Sequence, residues 1–232
     1  MGPVDYSLLF LDLLVEFCAV VFLLKQRALS KYFTLVLYLC ASIAVGLVRY
    51  SIIATAGFSS GMYLYFYYFS DVLLTICLYL VLMTLYSHVF SEIGASRMVH
   101  IGAMLLLAGT ALISYYMVSV SGYRLVTKFV MELSQNLYFV GVVLTYLLWG
   151  AMMKLRENRT RLMQLVLSMG VYFSAFAGSY ALGNMYPELS VWHYLCHVMV
   201  MWLPISWAYT FVKVAEDART ATARVVAPTT TP

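Results

Sequence analysis

Charge is what this sequence most lacks. Only 10% of its 232 residues are Asp, Glu, Lys or Arg, against about 25% in an ordinary soluble domain. With 63% of the residues hydrophobic, no soluble globule of this size could cover its own core. The shortage therefore excludes a soluble domain and points to a polytopic membrane protein. Cysteine is scarce too. Cys18, Cys40, Cys77 and Cys196 all lie inside apolar runs, where thiols behave as small buried hydrophobes, so no disulfide framework is expected. The N-terminus has no basic leader and no small-residue cleavage site, and Asp12 and Glu16 interrupt its apolar run. It reads as a retained first helix rather than a removed signal peptide. No connection is long enough to form a domain of its own.

What is present is a series of seven apolar segments, approximately Tyr6–Leu24, Tyr32–Ala54, Met62–Ser87, Met98–Val120, Leu125–Met153, Leu162–Tyr186 and Ser190–Val214. Each is long enough to cross a hydrocarbon layer of about 30 Å as a helix. Runs of this length exclude barrel strands, so the expected fold is all-α, a seven-transmembrane-helix bundle over residues 1–215. Residues 216–232, ending in APTTTP, have no apolar pattern and read as a short, partly disordered tail. If the seven helices alternate, eleven of the fourteen Lys and Arg residues fall on one side. Only Arg124 and Lys128 lie near the other, and Arg49 is within a helix. Basic residues mark the cytoplasmic side, which predicts an outside N-terminus and a cytoplasmic tail.

Polar groups inside the spans carry the functional signal, because ionised side chains in lipid cost a few kcal/mol and must face protein or water. On this topology they sit at one depth, in the outer half. They are Asp12 and Glu16 on helix one, Arg49 on helix two and Asp71 on helix three. Glu132, Gln135 and Asn136 follow on helix five, and His193 and His197 on helix seven. This agreement predicts an outward-facing polar cavity for a small ligand, with Arg49 as counter-ion to Asp71 or to the Asp12–Glu16 pair. An aromatic cluster, Tyr63 to Phe69, fits the membrane interface. Tyr67 shares a helix face with Asp71, so it is expected to line the cavity.

His193 and His197, four residues apart, can offer two imidazoles to one metal, and zinc would need a further ligand. Gly170, Ser174 and Gly178 form a small-residue stripe that lets helices approach closely. Pro204 should kink helix seven by removing one backbone hydrogen bond. That helix has no lysine at mid-depth, so a retinal Schiff base is not expected.

The segments KYFTLVLYLCA at the start of helix two and YFYYFSDVLLTICLYLVLMTLYSHVF in helix three, together with the short basic loops, resemble an uncharacterised family of bacterial seven-helix integral membrane proteins. That resemblance implies a bacterial inner membrane and puts Asp71 at the family's acidic position, but it brings no activity. The helix-seven HxxxH is similar to the last helix of the superfamily of alkaline ceramidases and adiponectin receptors. That family's histidine on helix two has no counterpart here. The leading expectation is a receptor-like or sensory module working through a separate cytoplasmic signalling protein. A zinc-dependent intramembrane hydrolase, a non-catalytic subunit of a membrane complex and an ion or proton transporter stand as alternatives. Nucleic acid is not an expected partner.

Overall fold

The computed structural model describes residues 3–25, 32–57, 60–90, 96–119, 125–154, 160–186 and 191–214. Among these there are seven α-helices and no strand. The helices are α1 (Pro3–Lys25), α2 (Phe33–Ala56), α3 (Gly61–Phe90), α4 (Ser96–Ser119), α5 (Leu125–Lys154), α6 (Thr160–Met185) and α7 (Val191–Lys213). The expected tail and most of the basic connections lie outside the described residues.

Five helical stretches are long and apolar enough to cross a membrane: Phe33–Ala56, Gly61–Phe90, Phe129–Lys154, Thr160–Gly183 and Leu195–Lys213. In α4 the described apolar run is shorter, Met104–Tyr116. Large apolar side chains are exposed along every helix among the described residues. Phe10, Phe17, Met104 and Leu112 are each more than 60% exposed. A water-soluble monomer rarely shows contiguous apolar area on this scale, and lipid is the medium that suits it.

The helices form a closed ring in the order α1, α2, α3, α5, α6, α7, with α7 returning to α1. The remaining helix, α4, packs outside this ring against α5 and α3. Within lipid, apolar side chains gain little by leaving one hydrocarbon phase for another, so close packing and hydrogen bonds must hold the ring together. Two tyrosines show this well. Tyr79 on α3 donates to the carbonyl of Leu137 on α5 at 2.7 Å, and Tyr86 donates to the carbonyl of Leu144 at 2.6 Å. Both pairs have the same sequence separation, 58 residues, as two parallel helices in one register require.

Glycines set the closest approaches. A Cβ on Gly141 of α5 would stand 2.5 Å from Cδ1 of Phe173 on α6, and one on Gly46 of α2 would stand 2.7 Å from Cδ2 of Leu13 on α1. The small-residue stripe of α6 is used unevenly. A Cβ on Gly170 would lie 3.2 Å from Cγ2 of Thr145 on α5, whereas Gly178 faces open space. Ser174 has a buried hydroxyl with no partner among the described residues. Gly57 ends α2 with φ +80, a conformation that favours glycine, and returns its N–H to the carbonyl of Ile53 at 3.1 Å.

The half of the bundle toward the C-terminal end of α3 is solid. Tyr38 meets Trp207 edge-on, with ring centroids 5.6 Å apart, and Trp207 donates to Ser168 Oγ at 3.0 Å. Leu39, Leu82 and Phe173 fill the space around them and are fully buried. At that end Tyr32 stacks on His88 and Thr34 donates to Thr84 at 2.9 Å. Arg161, at the start of α6, donates through Nε and Nη2 to the carbonyl of Val214 just beyond α7, at 3.0 and 2.7 Å. It thereby caps the α7 C-terminus, where a cation is favoured. Pro204 lies buried within α7.

Candidate functional site

Above the solid half, the ring encloses a cavity of about 420 Å³. Small-molecule sites fall within about 300–1,000 Å³, so it can hold a compact ligand. It lies near the end of the bundle where α1, α3 and α7 begin and α2 ends. Stripes of i, i+3 and i, i+4 neighbours build its walls, because residues so spaced share one helix face. Asp12 and Glu16 form the α1 stripe, and Tyr38, Ser42, Gly46 and Arg49 form that of α2. From α3 come Tyr63, Tyr67 and Asp71, from α6 Tyr172 and Phe176, and from α7 Cys196, His197 and Val200.

Each charged group has its own environment. Asp71 accepts hydrogen bonds from Ser134 Oγ and, at 3.2 Å, from Tyr138 Oη, both on α5. Glu16 is buried and accepts from Ser42 Oγ. Asp12 differs from both, because its Oδ1 is buried with no hydrogen-bond partner among the described residues. Arg49 donates to Ser70 Oγ through Nε at 3.1 Å and through Nη2 at 2.7 Å, and to the carbonyl of Tyr67 at 3.3 Å. Its guanidinium carbon stands 4.6 Å from the centre of the Tyr67 ring, a cation–π contact.

The pairing of Arg49 with Asp71 expected from the sequence is therefore replaced. Each group is held by neutral hydroxyls, and Arg49 acts on Asp71, Asp12 and Glu16 only as a nearby charge. The reason is geometric. Arg49 of α2 meets α3 at Ser70, one residue round the helix from Asp71, whose carboxyl is engaged by Ser134 and Tyr138 of α5.

The structure brings Asp12, Glu16, Arg49, Tyr67, Asp71 and His197 together around one space. It does not bring Glu132, Gln135 and Asn136 there. Glu132 is exposed, Gln135 is half-buried away from the cavity, and Asn136 donates to Ser114 Oγ of α4 at 3.0 Å. These three belong to other faces of α5. The inward face carries Ser134, whose hydroxyl reaches Asp71, and Tyr138, which lines the cavity. The side chain of His193 lies outside the described residues. Among the described residues no group of three His, Cys, Asp or Glu side chains gathers as metal ligands.

Sequence reasoning missed the neutral half of the site, namely Tyr38, Ser42, Ser70, Ser134, Tyr138, Tyr172 and Phe176. One signal was available. Tyr172, Phe176 and Tyr180 recur every four residues on α6, and their rings crowd Tyr138. Its centroid is 4.8 Å from that of Phe176 and 5.7 Å from that of Tyr180.

Comparison with protein-family models, curated proteins and solved structures returned no match. Fold and site together define a class: a polytopic helical membrane protein with an acidic, aromatic cavity inside a ring of helices.

Proposed function

We propose that the chain is a seven-helix, receptor-like or sensory module of a bacterial inner membrane, and that its cavity opens to the outer side to take a small ligand. One observation carries the reading: ionisable side chains from α1, α2, α3 and α7 converge on a single space of ligand size. Ionisable groups inside a membrane are costly and mark functional sites by default. The distribution of basic residues supports an outside N-terminus and a cytoplasmic tail. On that orientation the cavity lies in the outer half. A ligand held between α1 and α3 would bias how those helices pack, and the short basic connections would present the change to a separate cytoplasmic protein.

Cys196 provides the test, because it lines the cavity. Right-side-out membrane vesicles are treated with a membrane-impermeant methanethiosulfonate, and modification of Cys196 is read by peptide mass spectrometry. Modification from the outside is expected, and the signal should vanish in Cys196→Ala. Reaction from the cytoplasmic face alone would overturn the reading.

A further inference from the structure

Acidic side chains outnumber basic ones around the cavity. Three carboxyl side chains line it, Asp12, Glu16 and Asp71, against Arg49 and His197. Arg49 is the one permanently charged cation among the lining residues. It directs its hydrogen bonds to Ser70 and the Tyr67 backbone, so no carboxylate has it as a direct partner. Asp71 and Glu16 are satisfied by hydroxyls, but Asp12 keeps an acceptor oxygen buried with no partner among the described residues. A buried acceptor left without a donor costs about 1–3 kcal/mol, more when it is charged. A ligand that brings both a donor and a positive charge would remove that cost.

The other walls favour the same kind of ligand. Tyr63, Tyr67 and Tyr68 stand on α3, where the Arg49 guanidinium already takes one face of Tyr67 and leaves its other face and the other rings to a ligand. Tyr67 meets Tyr68 edge-on, with centroids 5.6 Å apart at 79°. On the facing side Tyr138 and Phe176 stack at 4.8 Å, and Phe176 lies 4.6 Å from Tyr172. Ring faces attract cations through their quadrupoles, and an aromatic box with acidic groups suits an alkylated or protonated amine. Leu13, Val45, Leu74 and Met201 add apolar wall between the polar groups. A bare metal ion would find little use for such a surface, whereas the carbon skeleton of an amine would.

We infer that the cavity binds a small organic cation, a protonated or quaternary amine, seated between the aromatic walls with its charge directed at Asp12 and Asp71. This rests on the reading of the cavity as a ligand site, though not on which membrane face it opens to.

The experiment therefore uses purified protein in detergent, where both ends are accessible. Cys196 is modified with cationic, anionic and neutral methanethiosulfonates of similar size, and Gly61→Cys serves as an exposed reference thiol. Relative to that reference, the cationic reagent should react with Cys196 roughly tenfold or more faster than the anionic one, as focused charge in a cleft does to encounter rates. Asp12→Asn and Asp71→Asn should each shrink the ratio. Tetramethylammonium should slow the neutral reagent more than an equal concentration of tert-butanol does. If either variant fails to fold, the ratio and the tetramethylammonium protection in the unaltered chain decide the matter.

A neutral reagent that reacts, with a charge ratio equal to the reference, overturns the cation inference and leaves the ligand site standing. Failure of every reagent at Cys196 in detergent overturns both. Sidedness in vesicles is scored separately, so a wrong orientation cannot be mistaken for a wrong ligand class.

Discussion

Gly141→Ala is the sharpest perturbation this fold offers. The added methyl would stand 2.5, 2.6 and 2.8 Å from Cδ1, Cε1 and Cγ of Phe173, well inside van der Waals contact. Phe173 has nowhere to go. It is fully buried, with Tyr79 edge-on at 6.1 Å and Tyr138 at 6.3 Å. Overpacking of this kind costs about 1–3 kcal/mol. Alanine is the better helix former by about 1 kcal/mol, which offsets part of that cost. The net is a loss of up to about 2 kcal/mol, which lowers the apparent Tm by up to about 8 °C for a chain of this length. The assay is thermal unfolding in detergent, followed by tryptophan emission at one scan rate. Gly150→Ala is the control on the same helix. Its Cβ meets open space, so only the helix gain remains and the Tm should hold or rise. Adding Phe173→Leu to Gly141→Ala should recover part of the loss, because the two side chains contest one volume. A Gly141→Ala protein that gains as much stability as Gly150→Ala would refute the close α5–α6 contact.

Three further outcomes are expected. Tyr79→Phe and Tyr86→Phe each remove one hydrogen bond without stranding a helical carbonyl, for about 1 kcal/mol apiece. Their losses in Tm should add, because seven residues separate the sites by about 10 Å. Arg49→Lys should not substitute for arginine. It gives up the forked donation to Ser70 and the planar contact with Tyr67, so the Tm should fall by an amount matching roughly 1–2 kcal/mol. For orientation, Gly61→Cys should be modified by an impermeant reagent outside intact cells and Lys154→Cys only after permeabilisation; the reverse pattern would refute the proposed topology.

Much of the scaffold was legible in the sequence because lipid imposes a crude but strong rule on length. The third span, expected at Met62–Ser87, forms Gly61–Phe90, and the second, expected at Tyr32–Ala54, forms Phe33–Ala56. Depth was legible as well, since a charge is costly enough to betray its position along a helix. Rotation about the helix axis was not. Helices that are apolar on every face give no stripe to orient them, so nothing marked Ser134 and Tyr138 as inward and Glu132 and Asn136 as outward. Hydroxyls compound the difficulty. Ser42 and Ser70 hold the key carboxylate and guanidinium, yet a serine can also satisfy itself on the preceding turn, as Ser179 does on the carbonyl of Ala175 at 2.7 Å. The close approach at Gly141 was hidden for the same reason, because its partner is a phenylalanine on another helix.

The paired tyrosines of α3 act as registration marks. Tyr79 and Tyr86 engage α5 at one shared offset, and any slide of α3 along α5 breaks both bonds together. Ser134 and Tyr138 add further ties at Asp71. These two helices therefore move as one beam, whatever the rest of the ring does. The cavity straddles the edge of that beam, since Asp71 rides on it while Asp12 and Glu16 belong to α1. Whatever sits between those carboxyl groups touches the α3–α5 pair on one side and, on the other, a helix tied to α2 and α7 instead.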